Sequence, residues 1–315
     1  MTNAEGMTKS KSVIPGVLTG NPVSFVFFIS LFLFAAYASM SCATDAVIIQ
    51  KASVDRFFRT PLSNPSGVFL DRQTGELYIT DAGLREVLIF DRHLTPAFSF
   101  GGKAGVLDPI DIVVKDNRIY LAQGAKDHIE VFSYKGEPIA RLKPPDGIAF
   151  EPGRLAIDAS GRLYAVNKRM RNCVVFDRED KFLFTIGEDL KSISGVAVST
   201  DRVYIIAPFN ERSIMVYGLD GKFLYGFEAI RDYGGTLGLP STASVDGKGR
   251  LWLADAIVGI VIFDKNGKEL TRTDRYDNIK IRLKFPVDIE LDSEDRAFVA
   301  DKAGKTVGVF VLEQQ

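Results

Sequence analysis

The sequence predicts an all-β fold: a six-bladed β-propeller of four-stranded antiparallel blades, closed by an N-terminal strand and preceded by a hydrophobic export or anchor helix. Three observations predict it. Residues 64–91, NPSGVFLDRQTGELYITDAGLREVLIFD, hold a Pro-x-Gly entry, an apolar run, a turn, a second run ending in Asp, and a third run. The pattern returns about every 40 to 48 residues, the spacing of propeller blades. Its landmarks keep step through six copies. The second runs go from an aromatic to a fourth residue: Tyr78 to Asp81, Tyr120 to Gln123, Tyr164 to Asn167, Tyr204 to Ala207, Trp252 to Asp255, Phe298 to Asp301. The third runs end on Phe90, Phe132, Phe176, Tyr217, Phe263 and Phe310. Finally, the sixth copy stops at Gln315 without an outer strand, while AVIIQKASV at 46–54 reads as a strand with no blade of its own. An unpaired blade edge leaves backbone groups open, so this strand is expected to complete blade six and latch the ring.

In chain order, residues 1–44 are expected to be a signal peptide or a membrane or lipid anchor, and 45–315 the propeller. Residues 23–40, VSFVFFISLFLFAAYASM, carry no charge, and Lys9 and Lys11 precede them. This reads as a targeting segment outside the fold. Its length is about the minimum for a span, and the lysines before it place the propeller outside the cytoplasm, in the periplasm or at the cell surface. Cys42 follows Ser39-Met40-Ser41, similar to a bacterial lipoprotein box without its usual Leu, and is the candidate lipidation site. Ala36-Tyr37-Ala38 equally suits an ordinary signal peptidase.

Each copy is then read as four strands. The short runs rich in Val, Ile, Leu and aromatics, bounded by Gly, Asp, Asn and Ser, are strand signals. DRQTG at 71–75, DASG at 158–161 and DGKG at 246–249 are tight turns in which Asp caps its own backbone and Gly accepts positive φ. Fourth strands follow at 96–101, 138–143, 182–187, 223–227 and 269–273. Two departures interrupt the spacing, 228–239 (EAIRDYGGTLGL) and 272–284, and both are candidate partner contacts or plain surface loops. Cys173 falls in a third strand, where an inert buried thiol is expected.

The motif P-x-G-[VI]-x-[VL]-D-x-x-G-x-[LI]-Y-[VI]-x-D, followed by [VI]-x-[VI]-F-D and K-F-L-F-x-x-G, resembles the NHL-repeat family of six-bladed propellers. Residues 64–101 and 152–187 match it best, and the resemblance covers roughly 46–315. It implies the fold; activity does not follow, because that fold hosts unrelated functions. Some members are zinc lyases that amidate peptides and need several histidines, but this chain has two, His93 and His128, both expected to be peripheral. The related gluconolactonase-like propellers hold calcium or zinc with Glu, Asn and Asp. Here Asn167, Asp111, Asp255 and Asp288 offer part of such a set without the Glu.

Strands one and two are antiparallel neighbours, so the start of the first and the end of the second meet at one mouth of the channel. One ring there is Gly67, Asp111, Arg154, Gly195, Thr242 and Asp288; a wider ring is Asp81, Gln123, Asn167, Ala207, Asp255 and Asp301. The candidate ligand-binding residues are Asp111, Arg154, Asp288, Thr242, Asn167 and Asp255. Asp111, Arg154 and Asp288 stand where the family usually has Gly. Arg154 suits a carboxylate or phosphate, and Asp111 with Asp288 suits a hard cation. Equally, Arg154 can pair with the aspartates and fill the channel, and the wider ring can brace turns by side-chain-to-backbone bonds.

No Ser-His-Asp set, phosphate loop or heme-attachment motif is present. A net charge of −1 gives no basic field of the kind nucleic-acid binders show. The expectation is an extracytoplasmic binding scaffold, with no catalytic residues assigned, presenting its loop face to a protein, peptide or glycan, membrane-associated through its N-terminal segment. No cofactor is predicted; calcium or zinc suits the alternative, a metal-dependent hydrolase or lactonase at the acidic mouth. A sensor module ranks last.

Overall fold

The computed structural model describes residues 46–228, 237–273, 281 and 283–314. The apolar segment at 23–40 and Cys42 lie outside the described residues, as do most of the two departures in spacing. Among the described residues no helix is long and apolar enough to cross a membrane.

Six four-stranded sheets follow one another in the described chain. Their inner strands are Pro65–Leu70, Pro109–Lys115, Pro152–Ile157, Gly195–Val198, Pro240–Val245 and Pro286–Leu291. In blades one to five the next three strands pair outward in sequence order, antiparallel throughout. In blade six the order is Pro286–Leu291, Ala297–Asp301, Thr306–Gln314, and then the N-terminal Ala46–Val54. Ala46 pairs with Gln314 and Val54 with Val307, with a bulge between Gln50 and Ala52. The latch expected from the unowned strand is therefore present, and Ile48, 2% exposed, packs with Trp252 and Phe310.

The second strands explain why alternation was not the useful signal. Leu77–Asp81, Leu163–Asn167, Leu251–Asp255 and Ala297–Asp301 are buried at every position. Each sheet is covered on both faces by its neighbours, so its middle strands read as continuous apolar runs. The core accordingly lies between blades. One cluster joins Tyr164, Val166 and Ile186 of blade three to Val203, Ile205 and Tyr217 of blade four. Another joins Leu77, Ile79 and Phe90 of blade one to Val287, Ala300 and Val307 of blade six. Outer strands such as Pro138–Leu142 are mostly exposed.

One element was not anticipated from sequence. Arg56–Phe57 and Thr60–Pro61 form a small hairpin between the latch and blade one. Phe58 at its tip has φ 49. Phe57 turns inward, its ring 5.3 Å from that of Phe90 in edge-to-face contact. Cys173 is a buried free thiol, and burial pushes its pKa up. His93 is exposed in the turn after the third strand of blade one. His128 is nearly buried, with its ring nitrogens 2.7 Å from Asp127 Oδ1 and 2.9 Å from Glu130 Oε2.

The rim where inner strands begin is called the first rim below; it carries the turns between second and third strands. The opposite, second rim carries the turns between first and second strands.

Candidate functional site at the channel mouth

At the first rim the inner strands converge, and their heads are tied blade to blade. Ser66 Oγ donates to Pro109 O at 2.7 Å, linking blades one and two. Ser194 Oγ donates to Pro240 O at 2.9 Å, and Ser241 Oγ to Pro286 O at 3.4 Å, repeating the device from blade four to five and five to six. Where aspartate stands at the head, the tie is a peptide N–H. Leu155 N donates to Asp111 Oδ2 at 2.7 Å, and Val68 N to Asp288 Oδ2 at 2.7 Å. Gly67 and Gly195 allow these approaches. A Cβ on Gly67 would lie 2.8 Å from Asp111 Oδ1, and one on Gly195 2.6 Å from Ser241 O. Thr242, buried, packs against that second glycine.

Arg154 does something different. It reaches across the channel, and Nη1 donates to Ser66 O at 2.7 Å and Ile110 O at 3.1 Å, while Nη2 donates to Val287 O at 2.7 Å. One guanidinium thus gathers carbonyls from blades one, two and six. Its Nη1 lies 3.5 Å from Asp288 and 3.7 Å from Asp111, and the three side chains are 11%, 7% and 4% exposed. Burial, then the charge of Asp288, push the Asp111 carboxyl well above the ordinary range, against the pull of Arg154.

Whether this constellation suits a divalent cation can be judged from its donors. Every oxygen of the two carboxylates accepts a peptide N–H: Ile112 N and Leu155 N on Asp111, Ile289 N and Val68 N on Asp288. A guanidinium already stands between them. A dication would share that space with a fixed positive charge, so these residues do not fit a calcium or zinc ion. Among the described residues no group of three or more His, Cys, Asp or Glu gathers as metal ligands.

The wider ring is organised by one repeated bond pattern. Asp81 accepts from Ser63 N and Asn64 N on the incoming loop, and from Gly83 N and Leu84 N in its own turn. Asp255 accepts from Gly238, Leu239, Ile257 and Val258. Asp301 accepts from Lys284, Phe285 and Gly304. Asn167 accepts from Glu151, Arg169 and Met170 and donates to Ala149 O. Gln123 accepts from Leu107 N and donates to Gly105 O. Blade four has Ala207 here, and Asn210, three residues on, takes the part: it accepts from Lys191 N and donates to Ser192 O. Each of these side chains clips the entering loop to the turn beside it.

Sequence reasoning overlooked the head serines, Asn210 and Glu290. Glu290 sits two residues beyond Asp288, on the same face of the strand. Ser244 Oγ lies 3.3 Å from its Oε2, and Arg72 Nη2 3.7 Å from its Oε1. Burial pushes this carboxyl up to about 7, with Arg72 pulling down and Asp288 pushing further up. The S-at-second-position pattern in PSG, ISG and PST was the available signal for the serines. Two surface recesses lie away from the channel: about 370 Å³ beside Lys126, Phe150 and Arg169, and about 860 Å³ beside Leu190, Arg212, Met215 and Phe223.

No family model matches the chain. Over 137 residues, 40% of its length, it is 31% identical to protein brain tumor of Drosophila melanogaster, and it spans 12% of that protein. Its fold is similar to that of a gluconolactonase from Xanthomonas campestris, with a TM-score of 0.67 and 16% identity over 87% of this chain and 93% of that one. At that identity the second likeness concerns the fold alone. The chain is a six-bladed β-propeller, similar in part of its sequence to brain tumor and in fold to the gluconolactonase.

Proposed function

We propose that this propeller is a non-catalytic binding scaffold of the NHL-repeat type, which presents first-rim loops to a protein, peptide or glycan partner. The observation carrying this reading is the engagement of Arg154. Its donors are taken by three backbone carbonyls, and the neighbouring aspartates by peptide N–H groups. The charged groups of the mouth thus act as ring fasteners, and the loops around them are the surface left for recognition. The export segment at 23–40, with Cys42 as a lipid attachment point, would hold the domain outside the cytoplasm on a membrane. Ala46 enters the propeller at the second rim, beside Gln314.

The test is chemical cross-linking of the exported domain in its native envelope, followed by identification of the linked loops. Cross-links concentrated on first-rim loops support the scaffold; cross-links confined to the second rim or outer strands refute it. The fold likeness to a gluconolactonase supports a second reading, a metal-dependent lactonase. Lactone hydrolysis that needs stoichiometric calcium or zinc, and that Asp111→Ala with Asp288→Ala abolishes, would establish it in place of the first.

A further inference from the structure

We infer that the blade-six and blade-one sector of the first rim is a docking site for an acidic polypeptide segment carrying apolar anchors. This deepens the scaffold reading and rests on it. Two large apolar side chains are exposed there: Phe58 at the hairpin tip, 63% exposed, and Phe285 at the head of blade six, 38% exposed. Around them are the exposed cations Arg59, Arg85, Lys284, Lys302 and Lys305. None of the five forms an ion pair among the described residues.

The sector is one platform. Lys302 N donates to Phe285 O at 3.0 Å, joining the blade-six turn to the entering loop. Ala82 N donates to Asn64 O at 2.9 Å, joining the blade-one turn to the segment after the hairpin. Beneath them Phe57, Leu62 and Leu84 pack with Val287, Ala300 and Val307 in a single cluster. The loops that carry the cations are therefore held in fixed relation to one another.

Two of the cations share a backbone conformation. Arg85 and Lys305 occupy the same turn position, four residues after Asp81 and Asp301, with φ of 59 and 57. This left-handed region disfavours residues with a Cβ. Blade five places Gly259 at the corresponding position, with φ 103. Blade three holds Arg171 there with φ 56, so long basic side chains stand where glycine is the less strained choice in three blades, two of which form this platform.

Charge and extent decide the class of partner. Five unpaired cations with two apolar contacts complement carboxylates interleaved with apolar side chains. Beyond the sector the rim is mixed in charge, with Asp108 and Asp127 of blade two, then Arg169 and Arg171 of blade three. Farther round the same rim stand Glu188, Asp189 and Glu211. A nucleic-acid strand following the rim would run from cations onto these carboxylates, and an anionic bilayer laid across it would meet them too. A peptide confined to the sector avoids them.

The experiment measures binding of a short labelled peptide of alternating Glu and Phe to the intact propeller by fluorescence anisotropy. Its Lys-for-Glu counterpart, a uridine oligonucleotide and phosphatidylserine vesicles are measured in parallel. Expected is saturable binding of the acidic peptide, weakened about tenfold or more by Arg59→Glu with Lys305→Glu, and similarly by Phe58→Ala with Phe285→Ala. Lys191→Glu, on blade four of the same rim, leaves it unchanged. Absence of binding, equal binding by the sector variants, or preference for the oligonucleotide or vesicles overturns the inference. First-rim cross-links that persist in the sector variants would refute the sector while leaving the scaffold reading intact.

Discussion

Replacing Arg154 with methionine tests the account of the channel mouth most directly. The change keeps much of the apolar stem and removes the guanidinium. Three carbonyls, of Ser66, Ile110 and Val287, then lose donors at 2.7, 3.1 and 2.7 Å. Asp111 and Asp288, almost fully buried, lose the cation 3.7 and 3.5 Å away. A hydrogen bond from a charged donor contributes about 1.5–3 kcal/mol, but these share one side chain and do not add. Removing one partner of a buried ion pair costs about 3–5 kcal/mol, and we expect about 4 kcal/mol at pH 7. The loss should depend on pH. Burial and mutual repulsion already hold the Asp111 carboxyl high. A carboxyl whose pKa is raised on folding contributes stability below its unfolded value, and loses it as pH rises through the folded one. Without Arg154 the Asp111 carboxyl rises further, so the deficit should shrink by more than about 1 kcal/mol on going from pH 7.5 to 5. Urea unfolding followed through Trp252, the single and fully buried tryptophan, reads both quantities. Adding Asp111→Asn and Asp288→Asn to the variant should recover part of the loss. A cost under about 1 kcal/mol, or one flat with pH, would refute the idea that Arg154 neutralises and fastens the mouth.

Three further outcomes are expected. Asn210→Ala removes the clip of blade four and should lower stability by about 1–2 kcal/mol in urea titration, whereas Asp201→Ala in an exposed turn should change it by less than about 0.5 kcal/mol. Removing residues 46–54 exposes the Thr306–Gln314 edge and uncovers Trp252 and Phe310, so the shortened chain should elute as oligomers or aggregates in size-exclusion chromatography; a monomer with the native melting temperature would refute the latch. Glu290, held up at about 7, favours folding most below the unfolded glutamate range, and that contribution is lost as pH climbs through 7. Glu290→Gln should therefore flatten the fall in melting temperature between pH 5 and 8 and raise stability at pH 8 by about 2 kcal/mol; an unchanged pH profile would show that Glu290 titrates normally.

Much of the fold was legible because each blade repeats the same physical problem. A sheet covered on both faces needs continuous apolar middle strands, and a turn between them needs a residue that binds several N–H groups. Hence the aromatic at Tyr78 or Trp252 and the acid three residues later keep their spacing. The latch was legible by subtraction, from a strand without a blade and a blade without a strand. The mouth was legible as a list of residues, and less so as an arrangement. Whether Arg154 faces solvent or three carbonyls depends on how closely blades one, two and six approach, which follows from Gly67 and the head of its neighbour rather than from Arg154 itself. Ala207 looked like a gap because the bracing atom arrives from Asn210, displaced along the turn. The Arg56–Pro61 hairpin was missed because DRFFRTP lacks alternation and a turn glycine; its tip is the left-handed Phe58.

The latch also sets an order of events. Lys51 and Glu313, bonded across it at 2.6 Å, are 262 residues apart in sequence. A ribosome makes the first of these strands long before its mate, so the early strand must wait with an open edge while blades stack behind it. Pairing of strands this far apart in sequence carries a large loop-closure cost, so closure is expected to be slow. Anything that shields residues 46–54 during that interval would govern yield without altering the final molecule.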